Sequence, residues 1–205
     1  GALVPGKFLV ASEAGQHRTA EAATEHADFK PMMFDLATDQ VVVPNGTLGH
    51  RYSADGEGRW NLELGDLDPA LSLLGHHEDI VEVLLPRFDT AGQGGRGDVA
   101  RGVPVREIDG RIVTTVFDLL LAEYGVGREG LPGQWATGLD DADALYTPAW
   151  QETITGVPGQ AAARIAREFA QNAIDSGGRS MIIMGAGTNH WFHSDTIYRS
   201  FLTLT

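Results

Sequence analysis

Gly178-Arg-Ser-Met-Ile-Ile-Met-Gly-Ala-Gly-Thr-Asn-His-Trp-Phe-His193 is the stretch on which the reading of the fold turns. Ser180 to Met184 is a short apolar run of the kind that forms a strand covered on both faces. Gly185 and Gly187 then permit a tight bend where Cβ atoms would obstruct a ligand. Ser194, with Asp195 behind it, is a predicted helix N-cap and first turn. Strand, glycine bend and helix start are the parts of an anion-binding site in α/β proteins. The same spacing equally suits a bend that only packs a strand against a helix. The dinucleotide fingerprint needs a further glycine where this chain has His190, and the chain ends before an acidic ribose contact could appear, so a plain NAD site is not expected.

Working outward from that stretch, Pro158 opens a helix in which Ala162, Ile165, Ala166, Phe169 and Ala173 line one side and Arg164, Arg167 and Glu168 the other. Before it, Thr147-Pro148 signals a helix start, with Trp150 and Ile154 on one face and Gly156 as the stop. Thr115-Val-Phe-Asp118 is a capping-box-like start, with Asp in place of Glu or Gln, for a helix ending at Gly125, and Gly110 to Thr114 suits a strand. Helix, buried strand, glycine bend and helix make the rhythm of a doubly wound layer. The expected class is therefore α/β, a Rossmann-like layered portion over residues 109–205 following a β-rich irregular portion over residues 1–108.

In that first portion Met32 to Leu36, Gln40 to Val43 and Ile80 to Leu85 read as strands, and Pro44-Asn45-Gly46 reads as a turn between extended stretches. Thr90 to Gly102, rich in glycine, is predicted to be a surface loop. Its Arg96-Gly97-Asp98 tripeptide matches an adhesion motif at no more than chance level. The chain opens without Met and closes at Phe201-Leu-Thr-Leu-Thr205 inside an amphipathic pattern of Ile197, Phe201 and Leu204, which predicts a piece of a larger protein.

With 205 residues, 42% of them hydrophobic, the chain can bury a substantial core. A formal net charge of −13 opposes binding to a phosphate backbone, so nucleic acid is not an expected partner. The absence of cysteine excludes disulfides, cysteine-held iron–sulfur clusters and thiolate nucleophiles or metal ligands from this chain. No apolar run approaches the ~20 residues of a membrane span, so direct membrane insertion is not expected, and no signal-peptide layout opens the chain.

His190 and His193, three apart around Trp191-Phe192, could place imidazoles on one side of a helical turn, but a pair with no third ligand does not make a metal site. Hydrogen bonding to a cofactor or capping a turn is the ordinary role. His76-His77 sits among Glu78, Asp79 and Glu82 and reads as a solvated face. Asn45-Gly46-Thr47 matches a glycosylation sequon, though the turn reading is preferred. Trp60 and Trp150 read as core anchors. No set of nucleophile, base and orienting acid can be assembled from spacing, and a stand-alone module binding an anionic ligand at Gly185–Asn189 remains the alternative to an enzyme.

Several blocks in fixed order carry a resemblance: Tyr146-Thr-Pro-Ala-Trp-Gln-Glu-Thr-Ile-Thr-Gly-Val157, Arg164-Ile-Ala-Arg-Glu-Phe-Ala170 and Arg179-Ser-Met-Ile-Ile-Met-Gly-Ala-Gly-Thr-Asn-His-Trp191. Upstream, Val43-Pro-Asn-Gly-Thr-Leu-Gly49, Arg59-Trp-Asn-Leu-Glu63, Leu71-Ser-Leu-Leu-Gly75 and Val113-Thr-Thr-Val-Phe-Asp118 extend it. These resemble the catalytic alpha subunits of respiratory nitrate reductases, within the molybdopterin oxidoreductase family. The stretches Glu13 to Ala27 and Gly92 to Gly102 depart from the family pattern.

The resemblance implies a parent enzyme in which bis-molybdopterin guanine dinucleotide holds molybdenum, a 4Fe-4S cluster feeds in electrons, and nitrate is reduced to nitrite. It implies cofactor contacts at Gly185, Ala186, Gly187, Asn189 and His190, whose backbone groups would position the cofactor. It places no catalytic residue and no metal ligand in this chain, so isolated it should be inactive. The implied partners are an iron–sulfur beta subunit and a membrane haem gamma subunit with quinol as electron source, on the cytoplasmic face of the cell membrane. Chlorate, perchlorate and selenate reductases share the architecture, and the choice among oxyanions lies largely outside these residues.

Overall fold

The computed structural model describes residues 1–14, 28–48, 59–86 and 98–204. They fall into two compact units, Gly1–Thr137 with Ala144–Tyr146, and Gly138–Asp143 with Thr147–Thr205. The architecture mixes helices with small antiparallel sheets, as expected of an α/β chain.

The first unit holds three small sheets. β1 (Met33–Asp35) pairs antiparallel with β2 (Gln40–Val42), and β3 (Asn45–Leu48) with β4 (Arg59–Glu63). β5 (Asp79–Leu85), β6 (Val99–Ile108) and β7 (Arg111–Val113) form the third, in that order, all antiparallel. Asp109 and Gly110 join β6 to β7 with φ of 49° and 74°, the pairing of positive angles that makes a two-residue turn follow the sheet's twist. The turn expected at Pro44-Asn45-Gly46 is instead the start of β3. Gly46 has φ of 77° and sits where the register with β4 shifts, so its left-handed backbone makes a bulge.

β6 also corrects the loop expected over Thr90 to Gly102. Residues 87–97, including Arg96 and Gly97 of the tripeptide, lie outside the described residues, but Val99 to Gly102 are already strand. Gly102 is demanded by packing: a Cβ there would lie 2.4 Å from Pro132 Cδ, and the Gly102 amide donates to the Pro132 carbonyl at 2.6 Å.

α1 (Val116–Glu123) begins at Thr115, whose hydroxyl accepts from the Asp118 amide at 3.0 Å. It packs on β6, so β7 and α1, although they follow Asp109, belong to the first unit. The core has two parts. Val83, Leu85, Val99, Val103, Val105 and Ala122 form one, and Phe34, Val41 and Leu73 the other. Buried polar groups stand beside them. Arg101, 8% exposed, donates from Nη1 to the carbonyls of Ala122 and Glu123 and from Nε to that of Gln134, closing the C-terminal end of α1. Asp118, fully buried, accepts from Ser72 Oγ at 2.6 Å, the Leu73 amide at 2.8 Å, Thr115 Oγ1 at 2.8 Å and Arg128 Nη1 at 2.5 Å.

The second unit is helical. α2 (Pro148–Thr155) is capped by Thr147, whose hydroxyl accepts from the Trp150 amide at 3.1 Å, and ends at Gly156 with φ of 72°. α3 (Gly159–Ser176) follows, its first amide bonded to Glu152 of α2 at 2.7 Å, and stops at Gly177 and Gly178 with φ of 68° and 88°. Gly159 lets the two helices touch, since a Cβ there would lie 2.8 Å from the Pro148 carbonyl oxygen. Trp150 is half-buried, as an anchor would be, whereas Ile154 is 65% exposed, and the side chain of Trp60 lies outside the described residues.

The buried strand expected over Ser180 to Met184 is not formed. The segment runs on from α3 without a ladder, and Met181 and Ile183 are 74% and 83% exposed. An extended backbone becomes a strand only when a neighbour takes its N–H and C=O groups. Among the described residues no strand lies beside it.

Candidate functional site

The glycine bend is built on α3. Ser180 Oγ donates to the Phe169 carbonyl at 2.8 Å and accepts from Asn172 Nδ2 at 2.9 Å, which fixes the start of the extended segment against the helix. Ile182 and Met184 are half-buried while Met181 and Ile183 point to solvent, the alternation of extended chain. Gly185, with φ of −151°, is extended as well, and the chain then enters α4 (Ala186–Asn189), a single turn. The Thr188 amide bonds the Gly185 carbonyl at 2.9 Å.

α5 (Ser194–Leu202) packs back on α4. Its cap is His193, held in the left-handed region at φ of 63°, and not Ser194, which is the first helical residue. Ser194, Ile197, Tyr198 and Phe201 are half-buried and recur at helical spacing, so they form the face turned inward. Tyr198 reaches α4 with its hydroxyl and donates to Asn189 Oδ1.

Gly185, Ala186, Gly187, Asn189 and His190 thus lie on one exposed bend, with Trp191 and Phe192 beside them at 70% and 87% exposure. The two glycines differ from the others of this unit. Gly156, Gly177 and Gly178 have positive φ, and Gly138 and Gly159 would each bring a Cβ to 2.8 Å from a neighbouring atom. Gly185 and Gly187 have neither reason: no atom lies within 4 Å of an added Cβ, and neither has a left-handed φ. Among the described residues nothing covers that face of the bend.

His190 and His193 do not gather further ligands. Among the described residues no three of His, Asp and Glu come together as a potential metal site. His193 instead meets Phe192 edge-on, with ring centroids 4.2 Å apart. His77 of the solvated pair accepts through Nδ1 from the Gly75 amide at 3.2 Å, a turn-closing role. No helix of the described residues is long and apolar enough to cross a membrane.

A cavity of about 620 Å³ lies in the first unit and includes none of the bend residues. Its walls include core side chains such as Phe34, Val83 and Val103 together with residues of the amino-terminal segment and of β7, with Arg106 and Arg111 among the charged ones. Arg106 lies over the Phe34 ring, 4.7 Å from its centroid, and bonds Asp39 at 2.7 Å, which raises the guanidinium pKa further. Asp35 is a second fixed charge: bonds from Thr38 Oγ1 and the Asp68 amide hold its carboxyl below the usual carboxylate range. Sequence spacing signals neither arrangement, because Asp39 and Arg106, or Asp35 and Asp68, are far apart along the chain. Both act as structural ties between separate stretches of the chain.

The molecule is an acidic α/β chain without a complete catalytic set among its described residues, carrying an open glycine bend. Comparison with known proteins gives it a place. The alpha subunit of nitrate reductase from Mycobacterium tuberculosis is 54% identical over 208 residues, covering 98% of this chain and 16% of that protein. The nitrate reductase alpha chain of Bacillus subtilis is 43% identical over 214 residues, covering all of this chain and 16% of the relative. The respiratory nitrate reductase 1 alpha chain of Escherichia coli is 42% identical over 194 residues, covering 86% and 15%. The chain belongs to the nitrate reductase alpha subunits and spans about a sixth of the length of these curated relatives. No family model matches it.

Proposed function

We propose that the chain is part of the catalytic subunit of a molybdenum-dependent, quinol-linked respiratory nitrate reductase, and that its glycine bend lines the site of a bis-molybdopterin guanine dinucleotide cofactor. The names of the relatives support the enzyme class. The observation that carries the cofactor reading is the pair Gly185 and Gly187, whose missing side chains answer to nothing among the described residues. Glycine at such positions lets a ligand come against the backbone, here at Ala186 and Gly187, while the Thr188 amide is held by the Gly185 carbonyl. The residues of the bend, two glycines beside an asparagine, fit a phosphate-bearing organic group.

In this reading the bound molybdenum supplies the reduction of nitrate to nitrite, and the 4Fe-4S cluster that feeds it is held by other parts of the polypeptide. The residues of this chain bind and orient. Gly185, Ala186 and Gly187 present backbone, Asn189 presents its amide, and His190 borders the same bend. Met181 and Ile183, now at 74% and 83% exposure, would be buried by a neighbouring strand that makes residues 180–184 part of a Rossmann-like parallel layer. Both portions, 1–108 and 109–205, would then belong to one molybdopterin oxidoreductase domain. The parent complex would join an iron–sulfur beta subunit and a membrane haem gamma subunit on the cytoplasmic face of the cell membrane.

The test is molybdenum content per polypeptide in the full-length subunit carrying Gly185→Val or Gly187→Val. Both substitutions should lower molybdenum and nitrate reduction together while the protein remains folded by circular dichroism. Wild-type molybdenum content in both variants would contradict the assignment.

A further inference from the structure

We propose that Tyr198 is a positioning residue for Asn189, and that the bend therefore offers its ligand a hydrogen-bond donor at Asn189 Nδ2. An asparagine amide has an acceptor end and a donor end and could serve a ligand with either. Here the Tyr198 hydroxyl donates to Oδ1, so the acceptor end is taken. Nδ2 has no hydrogen-bond partner among the described residues, and Asn189 is exposed on the bend.

The fold explains why Tyr198 can do this. It stands on the inward stripe of α5 with Ile197 and Phe201, so its ring is half-buried and its hydroxyl is directed at α4. With the phenol donating to Oδ1, Nδ2 is the end of the amide left for a ligand. The ligand atom opposite Asn189 must then be an acceptor, such as a phosphate or ring carbonyl oxygen, and not an N–H group.

This inference rests on the cofactor reading of the bend, and its test separates the two. In the full-length holoenzyme, the rate of guanine-nucleotide loss on mild heating is measured as GMP released by acid hydrolysis from the protein that remains. Asn189→Asp keeps the acceptor for Tyr198 but replaces the donor with negative charge, and should speed loss by roughly tenfold or more, as expected for an unsatisfied ligand acceptor. Tyr198→Phe should speed it about threefold, and should add nothing when Asn189 is already alanine. If Tyr198→Phe changes the rate by the same factor with Asn189 present or replaced, its role is packing and the positioning proposal is overturned. Wild-type retention in Asn189→Asp would overturn the donor assignment. If Asn189→Ala and Gly187→Val both retain nucleotide as wild type does, the cofactor reading itself fails.

Discussion

Replacing Asp118 by asparagine should destabilise the first unit far more than its near-identical shape suggests. The carboxylate has no exposure and accepts four hydrogen bonds, from Ser72, Leu73, Thr115 and Arg128. An amide of the same size can still accept at one end, but its NH₂ end must face donors. Ser72 and Thr115 can rotate their hydroxyls, whereas the guanidinium of Arg128 has only donors. Arg128 is already poorly served: its Nε and Nη2 are buried without a hydrogen-bond partner among the described residues, and its side chain is 15% exposed. Removing one member of a buried ion pair costs about 3–5 kcal/mol, and the partial exposure of Arg128 puts Asp118→Asn near the lower figure, about 3 kcal/mol. With a urea dependence of about 2 kcal/mol per M, the unfolding midpoint should fall by roughly 1.5 M. The assay is urea unfolding of the 205-residue chain followed by tryptophan fluorescence, Trp135 lying in this unit. Arg128→Met added to Asp118→Asn should recover a good part of the loss, because it removes the stranded charge. A midpoint within about 0.3 M of wild type for Asp118→Asn, set against the same slope, would refute the reasoning, as would a double variant no more stable than the single one.

Gly102→Ala should destabilise the chain by about 1–3 kcal/mol, because its Cβ would fall 2.4 Å from a proline ring that cannot move aside. Gly187→Ala, with nothing within 4 Å, should leave the urea midpoint of the same chain unchanged, which separates the bend's function from its folding. Thr147→Ala should cost about 1 kcal/mol through loss of the α2 cap, read as earlier melting of helical circular dichroism. Asp35 has its folded pKa below the unfolded value, so its contribution is complete above the ordinary carboxylate range and is lost as pH falls through the folded pKa. Urea titrations across the acid range should show a smaller acid-induced loss for Asp35→Asn than for wild type; equal losses would show that Asp35 is not a source of it.

The helices of the second unit were legible because their boundaries are written in local chemistry. Thr147-Pro148 caps and starts α2, Gly156 stops it, Pro158 precedes α3, and Gly177 and Gly178 end it in left-handed backbone. β1, β2 and β5 were readable from their apolar runs. β6 was not, since its first residues follow a glycine-rich stretch and its glycine, Gly102, is there for the contact with Pro132, thirty positions on. The same distance along the chain hides the buried charges: Thr115 and Asp118 look like a helix cap, and only the fold brings Ser72, Leu73 and Arg128 to the carboxylate. Residues 180–184 show the opposite failure. Their composition suits a covered strand, but composition does not supply the neighbouring strand, and within this chain Met181 and Ile183 stay in solvent. The bend itself was visible as Gly185 and Gly187; the bond from Tyr198 that orients Asn189 was not, because nothing in the spacing of a tyrosine nine residues away distinguishes it from a packing residue.

The most direct measurement is an experimental structure of the full-length subunit with its cofactor bound. The account predicts cofactor oxygen atoms within about 3 Å of the amides at Ala186 and Gly187 and of Asn189 Nδ2, with the Tyr198 hydroxyl still on Asn189 Oδ1. A bend covered only by protein, with the cofactor elsewhere, would contradict it.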